Sequence, residues 1–503
     1  MTAHSVRETV VIHGSRPDPS NSGSARPGPR ILGAVTTAGT GSAILDDLRA
    51  RGLVQDMTDE AALRARLDDG PITLYCGFDP TADSLHIGNL VPLLLLRRFQ
   101  DFGHLPIALA GGATGMVGDP SGRSDERNLL DSDALGRNLA AIRAQLTQIV
   151  DIDDGGMLVD NREWTVGVDV LDFLRDVGKH VTVNTMLAKE SIRSRLDGEQ
   201  GISFTEFSYM LLQANDYVEL HARHGCELQV GGSDQWGNIT AGIDMIRRRH
   251  QAHVHGLTVP LVTRADGAKF GKTVEGAVWL SPEKTLPYEF HQYFLRTDDR
   301  DVERFLLQLT LLPVERVAEV MAEHERAPES RHAQGVLADE VTALLHGEAE
   351  VRRARLAAGA LFGGADLDAE GLEALRGIVP ETVLPEPLGD DEPVVDLLVA
   401  TGVCSSRGDA RRTIEQGGIR VNGEKVAAGT DLVEFVEGRF ALVQRERSSA
   451  TWRSAADRRP VAGQCDAVHT RGRRATRVAP IACPSARRCA RPIRLETPGK
   501  SRR

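Results

Sequence analysis

Between residues 72 and 161 the chain alternates short apolar runs with longer amphipathic stretches, and this rhythm limits its fold more than any other feature. The runs are "ITLYCGF", "LPIALAGG" and "GMLVDN"; between them lie a helical pattern starting near His86 and a second across "LGRNLAAIRAQLTQIV". Strand-length runs separated by segments of helical period predict an α/β fold with a parallel sheet covered by helices. In such sheets function gathers at the carboxyl ends of the strands. Loops after those runs are therefore the places to look for chemistry.

The same reading divides the 503 residues. Residues 1–42, rich in Ser, Gly, Pro and Arg without hydrophobic period, are expected to be a flexible extension. A Rossmann-like parallel-sheet domain follows over 43–285, opening at "AILDDLRARGLV". Helical patterns such as "ERFLLQLTLL" and "GVLADEVTALLHG" make 286–375 a helical domain, and the proline-rich acidic stretch 376–392 reads as a linker. Residues 393–445 look like a small α+β unit: two helices, a Gly-Gly stop and two short strands around Asn422-Gly423, a strong hairpin signal. Residues 446–503 are a basic tail without apolar period, expected to be disordered.

Charge and composition exclude several classes. The net charge of −11 conceals a split, since 445–503 carry about 16 Lys and Arg against about 4 Asp and Glu, leaving an acidic body. That body is not coated in nucleic acid, although a local basic surface is compatible with it. The longest apolar run, "LVPLLLL", is too short to cross a bilayer, and the first residues lack a basic-then-apolar leader. Six scattered cysteines suggest no disulfide framework, so a cytoplasmic protein is expected. Cys465, Cys483, Cys489 and His469 fit no standard metal-ligand spacing, and no protein-bound metal is expected.

Three motifs carry chemistry. "FDPTADSLHIGN" leaves a predicted strand and enters a predicted helix, so free N–H groups and the positive helix end face the space above the sheet. His86 and Asn89 fall on one side of the first turn, where both can donate to a phosphate oxygen, and Gly88 allows close backbone approach. In "RADGAKFGKT", Lys269 and Lys272 sit on a loop that Gly267 and Gly271 make mobile, a device for bringing two ammonium groups onto a polyphosphate. In "FSYMLLQANDY", Tyr209, Gln213 and Asp216 recur at i, i+4 and i+7, a polar stripe beside apolar Phe207, Met210 and Leu211. Each motif alone fits a plainer account: a capped helix, a solvated basic loop, a helix face turned to water.

Together, "YCGFDPTADSLHIGN", "GGATGMVGDPSGRSDER", "SFTEFSYMLLQANDY", "QVGGSDQWGNIT" and "KFGKT" resemble the ordered motif set of bacterial tyrosyl-tRNA synthetases, in the class I aminoacyl-tRNA synthetase family. The resemblance runs from about Ala43 to about Val443. It implies activation of L-tyrosine by ATP, with Mg2+, to tyrosyl-adenylate and pyrophosphate, then transfer to the 3′ end of tRNA(Tyr) by a homodimer without membrane attachment. It also implies residue roles. Tyr209 and Gln213, with Asp119, would hold the α-ammonium group, while Asp216 and Tyr75 would bond the phenolic hydroxyl. Thr81 and His86 would lie near the γ-phosphate, Asp79 and Gly77 near the adenylate, and Gln229, Asp234 and Gln235 around the tyrosyl carboxylate and ribose. Two positions depart from the family. Asn89 stands where histidine is frequent, keeping a neutral donor and losing the titratable ring. Arg123 stands in the "GDPSG" loop where lysine is common, keeping charge with a different geometry.

The 393–445 unit resembles an S4 RNA-binding domain. Arg407, Arg411 and Arg412 cluster on one helix side and Arg420 and Lys425 flank the hairpin, giving candidate tRNA phosphate contacts. Two rival readings remain. One is an RNA-binding synthetase-like protein without aminoacylation activity, against which Lys269, Lys272, Asp119 and His86 speak. The other is a tryptophanyl enzyme or smaller nucleotidyltransferase, against which Tyr75, Asp216 and the S4-like unit speak.

Overall fold

A computed structural model describes residues 7–14, 41–121, 131–197, 201–267, 270–273, 276–362, 367–384, 393–430, 432–437 and 439–446. Strand β1 (Arg7–Gly14) belongs to a second sheet considered below. The first sheet contains β2 (Asp56–Met57), β3 (Thr73–Phe78), β4 (Leu105–Ala110), β5 (Met157–Asp160), β6 (Cys226–Gly232) and β7 (His255–Val259), in the order β2-β7-β6-β3-β4-β5. All neighbours are parallel except the short β2, which runs antiparallel to β7. The expected α/β fold with a parallel sheet is therefore present. From β3 the chain builds outward to β4 and β5, then returns to β6 on the other side, so strand order reverses between β3 and β6. A crevice opens at the carboxyl ends of strands where order reverses.

Alternation along β3 separates two cores. Leu74, Cys76 and Phe78 join the apolar cluster made by the helix Leu90–Asp101, whereas Tyr75 joins the cluster beneath the helices Phe204–His224 and Trp236–His250. Side chains on successive strand residues face opposite sides, so a fully covered sheet needs both clusters. Ser203 starts the Phe204–His224 helix by accepting from the Glu206 N–H at 3.2 Å, and Gly225 ends it in the left-handed region at φ 62°. Those two caps fix where the helix starts and stops.

Helices Pro287–Leu295, Asp299–Leu309, Val314–His324, His332–His346 and Glu348–Phe362 follow one another in a helical region. Its apolar faces continue the first core, with Phe290, Phe294, Phe305 and Leu337 in the same cluster as Leu90 and Phe99. Two arginines secure it. Arg98 donates to the carbonyls of Leu307, Gln308 and Thr310 at 3.2, 3.4 and 2.6 Å, and Arg51 donates to those of Leu307 and Leu312. The last carbonyls of a helix lack intrahelical partners, and cations are favoured there.

The second sheet corrects two expectations. Its order is β10-β1-β13-β11-β12, with β10 (Glu381–Leu384), β11 (Ile419–Val421), β12 (Glu424–Lys425) and β13 (Phe440–Glu446). Residues 7–14, expected within a flexible extension over 1–42, are its second strand, parallel to β10 and antiparallel to β13. Residues 381–384, expected within the 376–392 linker, are its edge. Four consecutive apolar-compatible residues, "TVVI", are too short a signal to stand out from polar surroundings, and their partners lie far away in sequence. The hairpin at Asn422-Gly423 is as expected, with both φ values positive, 50° and 84°, as a tight two-residue turn requires. The basic stretch after residue 446 lies outside the described residues.

Candidate active site

The crevice between β3 and β6 collects most of the residues singled out by sequence. Below its mouth, Tyr75 on β3 stands in register opposite Gln229 on β6, and both are buried, at 1% and 2% exposure. Neither the Tyr75 hydroxyl nor the Gln229 amide oxygen has a hydrogen-bond partner among the described residues. Buried polar atoms are nearly always paired, so two such atoms on adjacent strands mark a place for a polar ligand. Burial, reinforced by the neighbouring Asp216 carboxylate, keeps the Tyr75 phenol protonated by pushing its pKa well up.

Asp216 lies on the predicted stripe, and the stripe does face inward. Its carboxylate accepts from Trp164 Nε1 at 2.8 Å and from Asn161 Nδ2 at 3.0 Å. Burial pushes its pKa up to about 7 against the opposing pull of those two donors, with the Asp79 charge adding to the rise. Asn161 also accepts from the Ala113 N–H at 2.7 Å and donates to Thr114 Oγ1 at 3.0 Å, tying the loop after β4 to the helix. Sequence reasoning missed Asn161, Trp164 and Thr114. The available signal was position: Asn161 directly follows β5, at the carboxyl edge of the sheet.

Higher in the crevice a second polar set forms. Asp79, just past β3, accepts from the Tyr209 hydroxyl at 2.9 Å and from Thr114 Oγ1 at 2.7 Å. Asp119 accepts from Gln235 Nε2 at 2.7 Å and from the Ser121 N–H at 2.9 Å. Gln213 donates to Gln235 Oε1 at 3.2 Å and accepts from Asn238 Nδ2 at 3.0 Å. Burial raises the Asp234 carboxyl, with the Asp119 charge contributing. Close approach here depends on glycine: a Cβ at Gly111 would lie 2.2 Å from Asp79 Oδ1. Gly77 forms part of β3, and the Thr81 N–H donates to the Asp79 carbonyl at 2.9 Å, closing the turn that leads to His86.

At the mouth, His86 caps the short turn Ile87–Asn89. Its Nδ1 accepts from the Gly88 N–H at 3.0 Å, and its own N–H donates to Asn89 Oδ1 at 3.1 Å. Acceptance at Nδ1 places the proton of the neutral ring on Nε2, leaving that nitrogen as the donor. Asn89 is thus a capping residue as well as a candidate ligand donor: its oxygen is occupied and its amide N–H groups carry the donor role. Gly88 is required for a second reason, because a Cβ there would meet His86 Cε1 at 2.9 Å.

The described part of the lysine loop, from Phe270 onward, is docked on this turn. Phe270 packs among Tyr293, Phe294 and Phe305, and the Gly271 N–H donates to the Tyr293 hydroxyl at 3.0 Å. A small hairpin, β8 (Lys272–Thr273) with β9 (Gly276–Ala277), follows. Val278 N–H then donates to Gly271 O and Ile87 N–H to Val278 O, each at 2.9 Å. The backbone at Lys272 is thereby held beside the His86 turn. Lys269 and Arg123 lie outside the described residues. No three His, Cys, Asp or Glu side chains among the described residues converge to hold a metal ion, and no described helix is long and apolar enough to cross a membrane.

The candidate RNA-contacting side chains fall away from the crevice, in the second-sheet unit. Arg411, Arg412 and Lys425 are exposed. Arg407 is exposed too, with its Nε 2.6 Å from Asp396, and Arg420 donates to Gly423 O at 2.9 Å.

Comparison with known proteins gives consistent matches. The family model described as "tRNA synthetases class I (W and Y)" matches residues 67–363, and a "Tyrosine--tRNA ligase SYY-like C-terminal domain" matches 372–448. A tyrosine–tRNA ligase from Opitutus terrae is 51% identical over 419 residues, covering 81% of this chain and 98% of its own. One from Bacillus caldotenax is 51% identical over 411 residues, covering 80% and 97%. Among solved structures, a C-terminally truncated mitochondrial tyrosyl-tRNA synthetase from Aspergillus nidulans superposes with a TM-score of 0.58 at 31% identity, over 63% of this chain and 94% of that one.

Proposed function

The chain belongs to the class I tRNA synthetases of the tryptophan and tyrosine family, and from that premise we propose how its own residues perform the reaction. It is a tyrosine–tRNA ligase: it activates L-tyrosine with ATP and transfers the tyrosyl group to tRNA. The observation that best supports tyrosine is the buried, unpartnered Tyr75 hydroxyl beside an Asp216 carboxylate fixed by Trp164 and Asn161. A phenolic hydroxyl donates to Asp216 and accepts from Tyr75, completing both. Phenylalanine would leave these groups unpaired, and a site built to bond a hydroxyl rejects the analogue that lacks one, an effect for which tyrosyl enzymes are the standard example.

Tyr209, Gln213 and Asp119 form the set suited to the α-ammonium group, Asp79 and Gly77 lie near the adenylate, and Gln229, Asp234 and Gln235 surround the carboxylate and ribose. That carboxylate attacks the α-phosphorus of ATP directly, and pyrophosphate leaves. No covalent nucleophile on the protein is needed, so the residues act by placement and by stabilising charge. His86 Nε2–H, the Asn89 amide and Thr81 serve the phosphates, with Lys272, Lys269 and Arg123 bringing positive charge as pyrophosphate departs. Magnesium enters as part of the substrate, carried on the ATP phosphates.

We assign the 393–445 region an S4-like role in holding tRNA through Arg407, Arg411, Arg412, Arg420 and Lys425. A cytoplasmic homodimer completes the reading. Exposed Val166, Val168, Val170, Leu171, Leu174 and Phe204 offer an apolar surface that a second copy would cover. The deciding experiment is ATP–pyrophosphate exchange with tyrosine, phenylalanine and tryptophan supplied separately. Exchange with tyrosine alone is expected; exchange with none of them would return the reading to an RNA-binding protein without aminoacylation activity.

A further inference from the structure

We propose that residues 7–14 are a working part of the RNA-binding unit: they complete its sheet and join it to the helical region, so that tRNA charging depends on them while adenylate formation does not. The proposal rests on the tRNA-holding role assigned above to that unit. The segment lies outside both matched family regions, 67–363 and 372–448. Nevertheless β1 is an interior strand of the sheet, hydrogen-bonded on both sides. It pairs with β13 from Arg7↔Glu446 to His13↔Phe440 and with β10 from Val11↔Glu381 to Gly14↔Leu384.

Both faces of β1 are buried. Val10 and Ile12 pack with Leu397, Ala410 and Ile414, the core beneath the two small helices Val394–Ala400 and Arg407–Glu415. Val11 packs on the opposite side with Ala357, Leu372 and Leu442, where the helix Glu348–Phe362 belongs to the helical region. One strand therefore serves two cores at once. Among the described residues β10 pairs with β1 alone, so removing β1 would detach β10 and leave β13, still paired with β11, with an open apolar edge. Such an edge is unstable and prone to wrong pairing. The sheet in question carries β11 and β12, and with them Arg420 and Lys425, while the Arg407–Glu415 helix lies on its Val10 and Ile12 face.

Val11→Pro in the full chain is the sharpest test, because the Val11 N–H donates to the Pro380 carbonyl at 3.0 Å and proline is excluded from central strands. Ile12→Val, which keeps the strand, is the control. Amide hydrogen exchange at 440–446, tRNA charging and tyrosine-dependent pyrophosphate exchange are measured on each. For Val11→Pro, exchange at 440–446 should speed up at least tenfold and charging should fall at least tenfold, with pyrophosphate exchange within twofold of the parent. A synthetic peptide of residues 7–14 added to a chain lacking 1–40 should restore protection. If protection at 440–446 is unchanged in both the proline variant and the truncated chain, the proposal is overturned. If protection is lost and charging is not, the strand's place in the sheet stands but the proposed dependence of charging on it fails, whereas the RNA-binding assignment itself fails only if Arg411→Ala with Arg412→Ala also leaves charging unchanged.

Discussion

Asp216 shows how a single buried carboxylate can set both substrate choice and pH response. The folded state holds its proton more tightly than the unfolded chain, with a pKa raised from 3.8 to about 7. Its contribution to stability therefore declines as pH climbs between those values and is constant above them. Binding runs the other way, since only the carboxylate is a full acceptor for a phenol. The dissociation constant for tyrosine should fall as pH rises through about 7, while that for phenylalanine stays flat; calorimetric titration from pH 5.5 to 8.5 would read this. Tyr75→Phe removes one neutral hydrogen bond to substrate, about 0.5–1.5 kcal/mol, so tyrosine-over-phenylalanine selectivity in pyrophosphate exchange should drop about 2- to 13-fold. The inward stripe of Tyr209, Gln213 and Asp216 was legible because helical period alone places three polar residues on an apolar face. Trp164 and Asn161 were not, because they reach Asp216 from another segment and no local pattern announces a tertiary contact.

Among elements, the β8–β9 hairpin has the clearest mechanical logic. Phe270 anchors it, the Tyr293 hydroxyl holds the Gly271 N–H, and Gly271 sits at φ 77° with a would-be Cβ only 2.2 Å from Ile87 Cγ2. Tyr293→Phe should slow adenylate formation several-fold in single-turnover kinetics and leave tyrosine affinity unchanged, since the tyrosine pocket lies deeper on β3 and β6. Gly271→Ala should be more damaging, combining backbone strain of about 1 kcal/mol or more with a clash against the His86 turn. Mobility was the sequence expectation for this loop; its described part is also docked, through Gly271 and Val278, to the turn it serves. The Asn422-Gly423 hairpin, by contrast, was readable outright, because its turn chemistry is local.

At the scale of the molecule, synthesis of adenylate and possession of tRNA are assigned to different regions, so they should separate experimentally. Arg411→Ala combined with Arg412→Ala should leave pyrophosphate exchange intact, weaken tRNA charging, and make its dependence on log salt shallower by about 1 to 2 in slope. The apolar surface around Val170 and Leu171, exposed at 66% and 71%, predicts association: Leu171→Asp should convert a dimer to a monomer in sedimentation velocity. The parallel sheet was legible because local alternation of strand and helix patterns announces it, even though β2 pairs with β7 and β3 with β6 across long stretches of chain. What escaped was β1, whose partners on β13 lie roughly 430 residues away. That distance is also an interval of time. A ribosome adding about 5–20 residues per second makes Val11 roughly 20–90 s before Leu442 exists to receive it. Through that wait the nascent chain carries an apolar strand whose antiparallel partner has yet to be made, and the second sheet cannot close until β13 arrives.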